Sequence, residues 1–455
     1  MKVMVGVDEA KEKSRELKIA VGLSALAGIA FYFSTKSTLH DLDYTNQIAL
    51  AFLHGHIGLQ DKPPEWLNEM IPWKGHYYSA FPLGAVLSMV PVALLRETGL
   101  IQSFPGRVVA ALIAGISIYF FFGLARAFGP DYSSVKQRDG ARLARRIMLA
   151  LFPIFGTWTW CNLGFAGAWQ IALGLALLGQ AAALYFTLVR PSPFLAGAFF
   201  ALAFGNRTEL LITLPLYPYL FWRQPGSAGR ALRLPDRDNR SGCPATSSVS
   251  QAHSAPNTPG HWKTLKKRLH ENRWMLIRFL SLPIILGLLT AAYNFARFHS
   301  IFDFGYFHIP EVADEPWYKN GLFSIQAIPW NIYTMLFQGF DSISYFPYIM
   351  PNGFGCSIFL ASPFLCLLFR QGGRYRIISW VAISVLTLVL WLHGNPGSWQ
   401  FSYRYAMILL PWMFLLLTGN GRPKISLPEI FLFGVSVAIN AIAMWQFLWT
   451  DQIQP

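Results

Sequence analysis

Apolar residues in this chain gather into runs, with most charged residues in the stretches between them. The runs cover residues 19–35, 106–126, 147–163, 169–189, 275–294, 353–369, 377–392, 405–418 and 428–449. Each is near the ~20 residues that a helix needs to cross a bilayer, so each predicts a membrane span. Two further stretches are ambiguous. Residues 79–97 are long enough to cross but contain Pro82 and Pro91. Residues 194–222 are too long for one simple span, and Asn206, Arg207, Thr208 and Glu209 interrupt them.

The basic residues arbitrate, because Lys and Arg collect on the cytoplasmic side of membrane proteins. Suppose 79–97 lies along the membrane face and 194–222 forms two short helices turning at 206–209. Nearly all basic clusters then share one side: 2–18, 126–146, 190, 223–273, 370–376 and 422–424. The opposite choice moves Arg126, Lys136, Arg138, Arg142, Arg145, Arg146 and Arg190 outside. The expected fold is therefore an all-α polytopic membrane protein of about 11 transmembrane helices, N-terminus cytoplasmic and C-terminus outside. Residues 36–103 form a first external loop with juxtamembrane helices, and 295–352 a second.

Composition agrees. Of 455 residues, 53% are hydrophobic and only 13% charged, against about 25% charged in soluble domains. The net charge of +14 would suggest nucleic acid in a soluble chain. Here it reads as topology, and no nucleic-acid or phosphate-loop signature accompanies it. Cys161, Cys243, Cys356 and Cys366 form no CxxC pair, which argues against a disulfide framework or a zinc site. The charged N-terminus followed by an apolar run without an A-x-A site reads as an anchor, not a removable signal. Residues 223–273, rich in Pro, Ser, Gly and Arg, cannot bury a core and read as a disordered basic cytoplasmic insert.

Acids concentrate on the external side: Asp41, Asp43, Asp61, Glu65, Glu69 and Glu97 in the first loop, and Asp303, Glu311, Asp314, Glu315 and Asp341 in the second. Arg207, Arg297 and Arg404 stand singly near helix ends. Arginine binds phosphate bidentately, and a carboxylate can take a proton from an attacking hydroxyl. Plain structural roles compete. Asp41 or Asp43 can cap the helix starting near Tyr44, and Arg297 and Arg404 can snorkel to the interface. Arg207 with Glu209 is more specific, because charge inside an apolar stretch is costly. The spacing of His54, His56 and His76 does not establish a metal site.

The first loop resembles that of GT-C membrane glycosyltransferases, especially protein O-mannosyltransferases and lipid A aminoarabinose transferases. In the mannosyltransferases an acidic pair opens the loop, and a glycine ends the following helix fourteen residues after the first acid. Asp41 stands at that distance from Gly55. GHYYSAFPLGAVL resembles the family's His-Pro-Pro-Leu-Gly region, and AFGNRTELLITLPL, YNFARFHSIFDFGY and FSYRYAMILLP are similar to later segments. The chain departs in separating the acids by Leu42, and in carrying only Asn162 and Gln170 where many members have an acid or histidine.

The resemblance implies an inverting transfer of sugar from a polyprenyl-phosphate donor to a lipid, glycan or protein acceptor, at the external face of the cell (inner) membrane. Asp41, with Asp43 beside it, would be catalytic. Lys74, His76, Arg207, Glu209, Arg297 and Arg404 would bind substrate, the arginines taking the leaving phosphate. No cofactor is assigned, and a divalent cation lacks support. The rival readings are a transporter or flippase, a glycan polymerase or ligase, and a non-catalytic binder of lipid-linked sugar.

Overall fold

The computed structural model describes residues 2–36, 40–127, 139–223, 272–397, 399–419, 425–450 and 452–453. The insert expected at 223–273 lies outside these residues except at its two ends. The described chain is predominantly helical. Its helices are α1 (Lys2–Ser34), α2 (Tyr44–Leu53), α3 (Leu83–Glu97), α4 (Gly106–Ala127), α5 (Asp139–Phe155), α6 (Thr159–Gly164), α7 (Ala168–Leu188), α8 (Pro193–Asn206), α9 (Leu216–Trp222), α10 (Arg273–Phe298), α11 (Arg376–Leu392), α12 (Leu410–Gly419) and α13 (Leu427–Leu448), with shorter turns between them. Five segments are long and apolar enough to cross a membrane: Ser14–Ser34, Gly106–Arg126, Ala168–Leu188, Arg273–Phe298 and Leu427–Leu448. This is the architecture of an α-helical membrane protein.

Other apolar runs are broken. The 353–369 run yields a short helix, Ile358–Ala361, and a 3-10 helix, Pro363–Phe369. The 405–418 run begins as the 3-10 helix Arg404–Leu409 before α12. In 194–222 the helix stops at Asn206, Arg207 is extended (φ −140°, ψ 96°), and a 3-10 helix, Thr208–Thr213, leads to α9. Two small antiparallel hairpins depart from a purely α reading: β1 (Ile71–Trp73) with β2 (His76–Tyr78), and β3 (Asp341–Ser342) with β4 (Ile349–Met350).

Glycines set the helix crossings, as in membrane bundles whose backbones approach closely. Gly28 and Gly115 bring α1 against α4, where Ser24 donates to the Gly115 carbonyl at 2.7 Å. Gly197 places α8 against the Phe279 backbone of α10, and Gly84 of α3 meets Gly205 of α8. The interior of the bundle is filled by α4, α7, the 3-10 segments and α12.

Charge is sorted between the two ends. At one end Glu16 of α1 pairs with Arg126 of α4 (2.6 Å) and Arg146 of α5 (3.0 Å). At that end, too, Glu429 at the start of α13 lies between Arg145 (3.6 Å) and Arg370 (3.3 Å). The opposite end carries both long connecting regions. There α2 packs on α3, α3 packs on α8 and α10, and the β1–β2 hairpin meets the Tyr306–His308 turn. At 1.5 Å per residue α3 is about 22 Å long, short of a ~30 Å hydrocarbon core.

Candidate functional site

Asp41 and Asp43, two residues apart, sit in different surroundings. Asp43 is buried at the N-cap position of α2, and its backbone carbonyl accepts from Asn46 N (2.8 Å) and Gln47 N (3.1 Å). Its carboxylate does not cap the helix. It accepts instead from Asn46 Nδ2 (3.0 Å), Gln47 Nε2 (3.0 Å) and Arg96 of α3 (3.2 Å). The pair clamps α2 to α3. Asp41 is exposed and lines a cleft of about 200 Å³ with Lys36, Ser103 and Arg107. Partial burial and the Asp43 charge raise its pKa, against the pull of Arg96.

The arginines also part company. Arg297 is 1% exposed. It donates to the Ser79 carbonyl (2.6 Å) and to Asn294 Oδ1 (2.7 Å), and stacks over Tyr293 at 3.9 Å. Its terminal nitrogens are thus committed to joining α10 to the first loop. Lys74 Nζ contacts His299 Nε2 at 2.7 Å, and His76 is exposed on β2 near the Tyr78 ring. Both belong to the periphery of the first loop.

Arg207 and Arg404 converge on one ring. The Arg207 guanidinium lies 4.9 Å from the centroid of Tyr405, and that of Arg404 5.1 Å from it. Cation–π contacts of this kind contribute about 0.5–2 kcal/mol and hold the charged planes in place. Glu209 holds one edge of Arg207, at 2.8 Å to Nε and 2.7 Å to Nη2. The extended backbone at Arg207 makes this possible, because the end of α8 leaves the side chain at the bundle end beside the Arg404–Leu409 turn.

Around this pair stand residues that the sequence does not single out. Glu69 accepts a hydrogen bond from Trp169 Nε1 at the start of α7. Desolvation raises its pKa, Arg404 opposes the rise, and Glu315 adds to it. The Tyr306 and Tyr318 hydroxyls meet at 2.8 Å, and Tyr405 acts on both rings' hydroxyls electrostatically. His393 packs against Tyr405 (5.7 Å) and Tyr318 (6.2 Å). Its Nδ1 donates to the Asn395 carbonyl at 2.7 Å, which leaves Nε2 as the acceptor nitrogen of the neutral ring. Burial, with Arg207 and Arg404 nearby, pushes its pKa down.

The result is a polar centre assembled from five separate parts of the chain: the first loop, the start of α7, the turn after α8, the 3-10 turns after α10, and the segment 393–405. Only Arg207, Glu209 and Arg404 of the expected site residues belong to it. Glu69 is one of six acids of loop 36–103, and no local pattern distinguishes it from the rest. The tyrosines lie among 18 in the chain. Asn162, by contrast, is a structural tie: its amide brackets the Phe401 backbone, donating to the carbonyl (2.7 Å) and accepting from N (3.2 Å). Among the described residues, no group of three His, Cys, Asp or Glu side chains could hold a metal ion. No protein-family model matches the chain, and no curated protein or solved structure matches it.

Proposed function

We propose that the chain is a membrane enzyme of the GT-C kind that transfers a sugar from a polyprenyl-phosphate donor at the extracytoplasmic face. The observation that carries this reading is the pair Arg207 and Arg404 flanking the Tyr405 ring, with the Glu69 carboxylate within electrostatic reach of Arg404. Two guanidiniums suit the two negative charges of a departing lipid phosphate. A carboxylate on the same centre suits an attacking hydroxyl. The resemblance gives the proton-accepting role to Asp41, with Asp43 beside it, and Asp41 lines a separate cleft with Lys36 and Arg107.

The sorting of charge supports the orientation. The end with Glu16, Arg126, Arg145, Arg146 and Arg370 becomes cytoplasmic by the positive-inside bias. In this reading eleven crossings are assigned to α1, α4, α5, α7, α8, α9, α10, the segment 358–369, α11, the segment 404–419 and α13, of which α1, α4, α7, α10 and α13 contain a stretch long and apolar enough by itself. In that arrangement α3 lies along the outer membrane face. The donor's headgroup then meets Arg207 and Arg404 while its lipid tail stays in the bilayer.

The test uses the full chain in lipid nanodiscs with undecaprenyl phosphate carrying radiolabelled mannose, alongside the same lipid carrying aminoarabinose. Labelled sugar appearing in water-soluble or acceptor-linked form, together with free undecaprenyl phosphate, is the expected result. In sealed vesicles, movement of intact labelled lipid between leaflets without cleavage would show a transporter instead.

A further inference from the structure

We propose that Glu69, not Asp41, is the group that takes the proton from the attacking hydroxyl. The inference rests on the sugar-transfer reading and names a catalytic residue within it. In the step, the acceptor oxygen bonds to the anomeric carbon as its proton passes to Glu69. The bond between that carbon and the phosphate oxygen breaks, and its electron pair leaves with the lipid phosphate toward Arg207 and Arg404. Donor, acceptor and enzyme supply every atom and electron required.

Position is the first argument. Glu69 shares its surroundings with Arg404 and Tyr306, which belong to the centre holding Arg207 and Tyr405. Asp41 faces Asp43 and Arg96, and opens onto a separate cleft with Lys36 and Arg107. A base must lie within hydrogen-bond reach of the hydroxyl that attacks, and that hydroxyl must approach the carbon whose phosphate the arginines hold.

Orientation is the second. Trp169 Nε1 donates to Oε2 of Glu69, and the Trp169 ring is itself packed on Phe81 at 4.2 Å. Among the described residues, Oε1 accepts no hydrogen bond. Trp169 thus orients the carboxylate through one oxygen, the kind of support a positioned base requires. Glu69 and Arg404 act on each other electrostatically, and no direct hydrogen bond or ion pair between the two is present. The groups facing Glu69 are Arg404 from the 3-10 turn, Tyr306 and Glu315 from the second loop, Tyr44 from α2 and Trp169 from α7. Burial and Glu315 together move its titration toward the working pH range, where a base is most effective.

The experiment measures sugar release from the labelled undecaprenyl-phosphate donor over a range of pH. It compares wild type, Glu69→Gln, Glu69→Asp, Asp41→Asn and His393→Gln in nanodiscs, with undecaprenyl phosphate binding measured separately. Glu69→Gln should lose about 10²–10⁴ in rate, keep lipid-phosphate binding within about threefold, and lose the acid limb of the pH profile. Glu69→Asp should retain a limb shifted to lower pH, which guards against misfolding of the Gln variant. Asp41→Asn should retain the limb at its wild-type position. Persistence of the limb in Glu69→Gln, or its loss in Asp41→Asn or His393→Gln instead, would overturn the assignment. A wild-type protein that binds the donor but never cleaves it would remove the transfer reading itself, and the assignment with it.

Discussion

At the scale of single residues, the same side-chain type does different work in different surroundings. Asp43 is a clamp: its carboxylate carries Arg96, Asn46 and Gln47, and a hydrogen bond to a charged group contributes about 1.5–3 kcal/mol. Asp43→Asn keeps an acceptor oxygen but loses the charge that answers Arg96. It should cost about 1–3 kcal/mol of stability, while Asp41→Asn costs less. Thermal melting of both purified variants checks the ranking. Glu69 has the opposite character, because burial works against its charged form. Its folded pKa lies above the ordinary 4.5. As pH rises past that value, the unfolded chain gives up the proton before the folded chain does. Stability therefore falls through the window between 4.5 and the folded pKa, and levels off above it. Glu69→Gln removes this loss, so the variant should melt higher than wild type above the window and lose that advantage below it. A melting difference that does not change with pH would show that Glu69 is not held at a desolvation cost. Asp41 and Asp43 were visible in the sequence because they sit just past an apolar run. Glu69, His393 and Tyr405 were not, because their significance comes from partners 100 or more residues away, or from a shared centre that no local spacing encodes.

Among the elements, apolar runs located the helices better than they described them. The long runs 106–126, 169–189, 275–294 and 428–449 became α4, α7, α10 and α13. Runs 353–369 and 405–418 instead became 3-10 segments joined to short α-helices. Hydropathy reports that a segment avoids water, and it is silent about whether Pro363 or the packing around Arg404 tightens the turn. The interruption at 206–209 was legible, since charged residues within an apolar stretch must find partners. Arg207 finds Glu209 and Tyr405 there. Close crossings of the helices depend on glycine. A Cβ at Gly197 would lie 2.0 Å from the Phe279 carbonyl oxygen, a backbone atom that no side-chain rotation can move. Gly197→Ala should therefore cost about 1–3 kcal/mol or more, read as a lower melting temperature, while Gly287→Ala, with open space around it, should not. Equal melting of the two variants would show that α8 and α10 slide apart at no cost.

Over the whole molecule, the separation of basic and acidic ends turns a sequence bias into a spatial one. Arginines far apart along the chain, such as Arg145 and Arg370, meet at one carboxylate, Glu429. The topology proposed from this separation is checked by single cysteines. One replacing Gly140, at the start of α5, should react with a membrane-impermeant thiol reagent only in opened cells. One replacing Asn320, in the loop after α10, should react in intact cells. Labelling of the Gly140 site from outside would reverse the orientation. By itself the sequence determined the class of molecule, the positions of the long apolar helices, the break before Glu209 and the acids of the two long connecting regions. Each of these follows from local composition, because a bilayer sorts residues by polarity one segment at a time. Tertiary structure alone decided which acid faces the arginines. It committed Arg297 to the first loop, brought Arg207 and Arg404 onto one tyrosine, and set Glu69 against Trp169 across 100 residues of chain. Such choices depend on which helix ends meet, and that is fixed by packing between distant segments, not by the polarity of any one of them.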